Sequence, residues 1–149
     1  MRLGVAAALV AGCSASATPD ELAGEKYHEA NGLFARGFYS DAIPLYESAV
    51  AIRDRMKDAY HRLAYCYEVR GEESRAVETL EKLLRVDRLD EYALRHLWRL
   101  YSHRGFADQA LGAARSLATL YPGDLGLKDE IARLEGLKEL KGLKELKGK

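Results

Sequence analysis

The side chains of this 149-residue chain best suited to chemistry are four histidines, two cysteines, and aromatic and basic residues on regular spacings. The histidines are His28, His61, His96 and His103. No two stand four apart, the spacing that puts two imidazoles on one helix face for a metal. His61 and His96 fall on successive copies of one pattern, so a shared metal site is conceivable. Lone helical histidines are more often packing or surface residues, and no metal or other cofactor is expected. The sequence has no HExxH pair, no glycine-rich phosphate loop, and no nucleophile with a base and an orienting partner. An enzyme is therefore not expected, nor is a small-molecule substrate. Cys66 sits beside an apolar stripe and reads as a small packed thiol. Lys+Arg and Asp+Glu both count 23, so no basic field is available to hold nucleic acid.

Cys13 has a different setting. It closes the stretch M-R-L-G-V-A-A-A-L-V-A-G-C, in which one cation precedes an apolar run and then small residues. That is the order of a secretory signal, and the run is too short to span a bilayer. Val10-Ala11-Gly12-Cys13 resembles the lipobox of bacterial lipoproteins. The resemblance implies a signal peptide over 1–12, cleavage before Cys13, and a diacylglycerol on its thiol. Ser14 is similar to the outer-membrane sorting class in a host with two membranes. The implied location is the bacterial cell envelope, on the periplasmic face of the outer membrane. Residues 13–19 would be a short tether reaching about 20 Å at 3.3 Å per residue. The alternative is a cytoplasmic protein with an unstructured, alanine-rich amino terminus.

The rest of the chain must position whatever the aromatic and basic residues do. Charged residues make up 31% and hydrophobic ones 48%, with only three prolines and no alternating strand pattern, so the fold reads as all-α. R-G-F-Y-S-D-A at Arg36 returns as R-G-E-E-S-R-A at Arg70 and R-G-F-A-D-Q-A at Arg104, a step of 34 residues each time. Before the second and third tags lies one helical stripe, Tyr60, Leu63, Ala64, Tyr67 and then Leu94, Leu97, Trp98, Tyr101. After each tag lies another: Ala42, Tyr46, Ala49, then Ala76, Leu80, Leu83, then Ala110, Ala114, Leu117. Each glycine ends a helix, and each alanine lets the next pack closely. The arginines read as cations at helix ends.

This pattern resembles the tetratricopeptide repeat, with its 34-residue period and W-x2-L-G-x2-Y, A-x3-F, P signature. The resemblance implies a right-handed α-solenoid of three helix pairs, at 23–56, 57–90 and 91–124 within 20–124. A capping helix and a Lys/Leu/Gly-rich tail would follow over 125–149. Local expectations accompany it. Thr18 and Glu21 form a capping box before Pro19. Ser40 caps the second helix, which places Pro44 in its first turn. Trp98, where the repeat prefers Gly or Ala, displaces a neighbour, with Gly112 and Ala113 making room. The last helix runs from Leu127 to about Leu140 and frays beyond Gly142, because Gly136, Gly142 and leucines every third residue suit a helix poorly.

In tetratricopeptide arrays the first helices line a concave groove. The stripe rotated toward it here is Gly24, Tyr27, Asn31 and Phe34, then Asp58, His61, Tyr65 and Glu68, then Tyr92, Arg95, Arg99 and Ser102. Its candidate contacts are Tyr27, Asn31, Phe34, His61, Tyr65, Glu68, Tyr92, Arg95 and Arg99. The expected groove is aromatic at one end and basic at the other, suited to a protein or peptide partner. Asn31 matches the asparagine of carboxylate-clamp arrays, but Tyr27 stands where a clamp lysine would be. The resemblance implies a non-enzymatic, lipid-anchored adaptor for a cell-envelope machine in outer-membrane assembly, pilus biogenesis or secretion. The alternative is a cytosolic three-repeat chaperone of a secreted protein.

Overall fold

A computed structural model describes residues 17–147, which form seven helices and no strand. The helices are α1 (Pro19–Ala35), α2 (Tyr39–Ile52), α3 (Lys57–Val69), α4 (Glu73–Val86), α5 (Glu91–His103), α6 (Ala107–Leu120) and α7 (Leu125–Lys147). Each packs mainly on the next in chain order, so three helix pairs stack into a solenoid that α7 closes. No described helix is long and apolar enough to cross a membrane.

The repeated tags are the corners of this stack. Gly37, Gly71 and Gly105 have φ of 80°, 74° and 74°, the left-handed region that ends a helix without a Cβ clash. The amides one residue later, of Phe38, Glu72 and Phe106, donate back to the carbonyls of Leu33, Tyr67 and Tyr101 at 3.0, 2.8 and 2.9 Å. This is the Schellman closure, made three times. Arg36 and Arg104 lay their guanidinium groups over Phe38 and Phe106, at 4.8 and 5.0 Å. The middle corner has no Phe, and Arg70 binds Glu72 at 2.6 Å instead.

Small residues let the helices approach. Ala23, Ala30, Ala42, Ala49, Ala64, Ala76, Ala110 and Ala114 are fully buried, around a core that includes Tyr46, Leu80, Leu83, Leu94, Leu100 and Leu117. Buried hydroxyls obey the same period. Tyr67 donates to Glu47, and Tyr101 donates to Glu81, so each tyrosine ties its helix to the second helix of the preceding pair. Cys66 is buried in this core, and burial pushes its thiol up to about 11, the signature of an inert packed sulfur.

The amino-terminal cap forms as expected. Glu21 N–H donates to Thr18 Oγ1 at 3.3 Å, and Thr18 N–H donates to Glu21 Oε2 at 2.8 Å. Three local expectations are corrected. The cap of α2 is Phe38, not Ser40, because the Schellman turn feeds directly into the helix. Pro44 therefore lies inside α2, on its exposed face, where the carbonyl it leaves unbonded can meet water. Gly112 makes no room for Trp98: it is exposed, and a Cβ there would touch nothing within 4 Å. Trp98 turns toward α7 instead and is only partly buried. Finally, α7 continues through Gly142 to Lys147. Leu127 and Leu134 are buried beneath it. Ion pairs Arg115–Glu135 (2.6 Å) and Lys138–Asp108 (2.8 Å) fasten it to α6, and Lys, Glu and Leu extend it by their own helix propensity.

Candidate peptide-binding face

The predicted stripe lies on α1, α3 and α5, and the structure divides it into separate pits. Phe34, His61, Arg62, Tyr65 and Tyr92 line a pit of about 200 Å³. Phe34, Tyr39 and Tyr65 form a triangle of rings with centroids 5.3, 5.5 and 5.8 Å apart. Edge-on contacts hold such rings in place without closing their faces. Tyr65 remains 40% exposed, so the pit offers apolar surface to solvent. Arg62 sits over the Phe34 ring at 5.0 Å and supplies a cation at the rim.

A chain of polar contacts leads from this pit along α5. Asp90 caps α5 by accepting from Ala93 N–H at 2.9 Å, and the same oxygen meets His61 Nε2 at 2.9 Å. The ring of Tyr92 lies between two imidazoles, His61 at 4.4 Å and His96 at 4.0 Å, the latter stacked at 21°. Burial pushes the Tyr92 hydroxyl up to about 12, so it stays neutral. His96 Nδ1 contacts Glu68 at 2.8 Å, and the second Glu68 oxygen accepts from Arg99. Burial by itself would raise the Glu68 carboxyl, but His96 and Arg99 together hold it below the ordinary value. His61 and His96 thus each have their own carboxylate and are separated by a ring. Among the described residues no cluster of three His, Cys, Asp or Glu side chains could hold a metal.

Arg95 and Arg99 line a second pit of about 360 Å³ with Trp98, Ser102 and Glu130. Both arginines also have acidic neighbours. Arg95 binds Glu91 at 2.7 Å and covers Tyr121 at 5.3 Å, while Arg99 binds Glu68. The basic end of the stripe is therefore largely neutralised within the fold, although each guanidinium keeps further N–H donors.

Two of the nine predicted residues stand apart from these pits. Tyr27 lines a wider depression with Arg55 and Lys57, 6.0 Å from the ring of Tyr46. Asn31 accepts from Tyr46 Oη at 2.7 Å, so its carbonyl is committed to holding α1 on α2. Phe34, His61, Tyr65 and Tyr92 come together in one pit, Arg95 and Arg99 in the other, and Glu68 bridges His96 to Arg99. Sequence reasoning missed Arg62 and Glu130, placed Ser102 on the stripe without singling it out as a contact, weighed His96 only as a metal ligand, and assigned Trp98 to packing alone. The Glu91–Arg95 spacing of four on one helix was a legible pairing signal. No local signal marks Glu130, which comes from a different helix.

The tetratricopeptide repeat family model matches residues 33–97. The second tetratricopeptide-repeat domain of human RPAP3, solved with the HSP70 peptide SGPTIEEVD, is similar at a TM-score of 0.64 and 19% identity; the match covers 79% of this chain and 98% of that one. The tetratricopeptide-repeat domain of Arabidopsis OM64 gives 0.63 and 15%, covering 78% and 97%. MamA gives 0.60 and 22%, covering 76% and 63%. A comparison with curated proteins gives no match. The likeness is one of fold, and the fold of this chain is the all-α tetratricopeptide-repeat solenoid.

Proposed function

We propose that this chain is a non-enzymatic adaptor that holds an extended peptide or helix of a partner protein against the α1–α3–α5 face. The observation that carries the reading is the open aromatic pit of Phe34, Tyr65 and Tyr92, with the separate Arg95–Arg99 pit further along α5. Rigid aromatic rings and arginines are the side chains from which protein-binding hot spots are built. The RPAP3 domain of the same fold is a peptide binder, and this chain's first-helix residues make a face suited to the same kind of ligand.

The adaptor acts at a membrane. Cys13, outside the described residues, carries the lipid, supported by the order of charge, apolar run and small residues before it. Two or more acyl chains anchor a protein stably, at about 0.8 kcal/mol per buried CH₂. The short tether then keeps the partner near the bilayer, in an envelope machine for outer-membrane assembly, pilus biogenesis or secretion.

Mass spectrometry of the mature amino terminus from native-host membranes, beside Cys13→Ser, tests the anchor. Acylated Cys13, absent in the variant, is expected. An intact Met1 with a free Cys13 thiol in the soluble fraction would overturn the anchor and favour the cytosolic chaperone reading.

A further inference from the structure

Among the described residues, two buried side-chain polar atoms have no hydrogen-bond partner: Trp98 Nε1 and Ser102 Oγ. They lie one helical turn apart on α5 and line the same pit, between the two arginines and Glu130 of α7. Buried polar groups are nearly always paired, so two orphans at one spot need an explanation. Trp98 also occupies a register where the earlier pairs have the fully buried Ala30 and Ala64. A bulky indole replaces a packing alanine, and its N–H is left over.

The chemistry of the walls specifies a ligand. The indole supplies a donor only, Ser102 can donate, and Arg95 and Arg99 retain guanidinium N–H groups beyond their pairings with Glu91 and Glu68. The one carboxylate in the pit, Glu130, is engaged by Arg133, which contacts both its oxygens at 2.6 and 2.5 Å and holds it below the ordinary value, while the indole N–H faces it without closing a hydrogen bond. The free capacity is therefore for an acceptor bearing negative charge. The remaining surface, indole face and arginine stems, is apolar. A main-chain carboxylate would carry its own amide N–H into a pit whose single carboxylate is already taken. A side-chain carboxylate brings no such donor.

We propose that the Trp98 pit receives an Asp or Glu side chain, adjacent to an apolar residue, from an internal segment of the peptide that lies along the α1–α3–α5 face. This deepens the adaptor reading and rests on it. His96 stacks on Tyr92, a wall of the aromatic pit, and reaches Arg99 through Glu68, so the two pits belong to one continuous surface.

The chain has a single tryptophan, so one indole ¹⁵N–¹H resonance reports on this pit without ambiguity. The full chain is titrated with an acetylated, amidated hexapeptide Gly-Tyr-Gly-Leu-Asp-Gly. Parallel titrations use its Asn counterpart, the Asn counterpart with a free terminal carboxylate, and octanoate. The Asp peptide is expected to shift the indole resonance and to bind about tenfold or more tightly than the Asn peptide. Ser102→Ala is expected to weaken it severalfold, and Trp98→Phe to reduce it to the Asn level with helicity unchanged. Equal affinity for Asp and Asn would overturn the inference. So would a match by the free-carboxylate peptide, which indicates a chain terminus, or by octanoate, which indicates a lipid acid. Perturbation of the Phe34 and Tyr65 resonances with an unmoved indole would end this inference and leave the groove reading standing. No perturbation at either pit would end both.

Discussion

The seam between α3 and α5 and the seam between α5 and α7 differ in how completely they are satisfied. In the first, Asp90, His61, Glu68, His96 and Arg99 each have partners, and Tyr92 is held between two rings. In the second, an indole N–H and a serine hydroxyl are buried without partners beside two arginines. The first seam lies inside the array, where stacking one unit on the next rewards pairing across the joint. The second lies where the array ends and α7 stands in place of a fourth pair. Residues there have no repeat partner to serve, and the proposal assigns their unused polarity to an acidic ligand.

Changes that break the interior should have the largest effect. Leu80→Ala removes a fully buried side chain between pairs and should cost about 3 kcal/mol in urea denaturation. A cost below about 1 kcal/mol would mean that the stack is looser than described. Glu68→Gln, which unpairs His96 and Arg99 together, should cost about 1–3 kcal/mol. Glu91→Gln, at an exposed pair with Arg95, should change stability by less than about 1 kcal/mol. Similar costs for the two would erase the distinction between a built network and a surface ion pair.

The pH dependence sharpens the same contrast. The folded Glu68 carboxyl sits below its ordinary value of 4.5. Its contribution to stability is present above that value and is lost as pH falls toward the folded value, since the unfolded chain binds the proton first. Acid titration of unfolding free energy should therefore fall less steeply below pH 4.5 in Glu68→Gln than in the natural chain. Parallel curves would show that Glu68 is not coupled to folding.

The glycines give smaller effects than the core, and opposite signs. Gly105→Ala forces an alanine into φ of 74° and should destabilise by about 1–2 kcal/mol. Gly112→Ala fills open space in an exposed helix interior and should stabilise by up to about 1 kcal/mol, seen as a raised melting temperature. Loss of stability at Gly112 would restore the idea that it makes room for Trp98.

These pairs also show what was legible in the sequence. The 34-residue step revealed the helix pairs because turn chemistry repeats: each Arg-Gly is a Schellman corner, and each following alanine is a close contact. Thr18 and Glu21 announced their cap because both partners are local. Ser40 misled because a serine near a helix start is a good cap in general, whereas here the corner itself starts α2 at Tyr39. The aromatic pit was foreseeable from one face of α1, α3 and α5. The neutralisation of Arg99 by Glu68 was not, since that contact joins different helices. Trp98 was read as a packing fault because the sequence shows the departure from the repeat but not the direction in which the ring turns. The length of α7 was underestimated because a three-residue leucine spacing predicts poor burial, while its anchors, Glu135 and Lys138, find partners on α6.

The central claim is that a partner protein is held on the α1–α3–α5 face. Its most direct test is site-specific photocrosslinking in the native host, with a photoreactive phenylalanine at Tyr65 in the aromatic pit or at the exposed Lys82 on α4. The account predicts a discrete crosslinked protein from Tyr65, absent from Lys82, and lost when Phe34→Ala is added without loss of helicity. Equal capture from both positions, or capture from Tyr65 that survives Phe34→Ala, would contradict it.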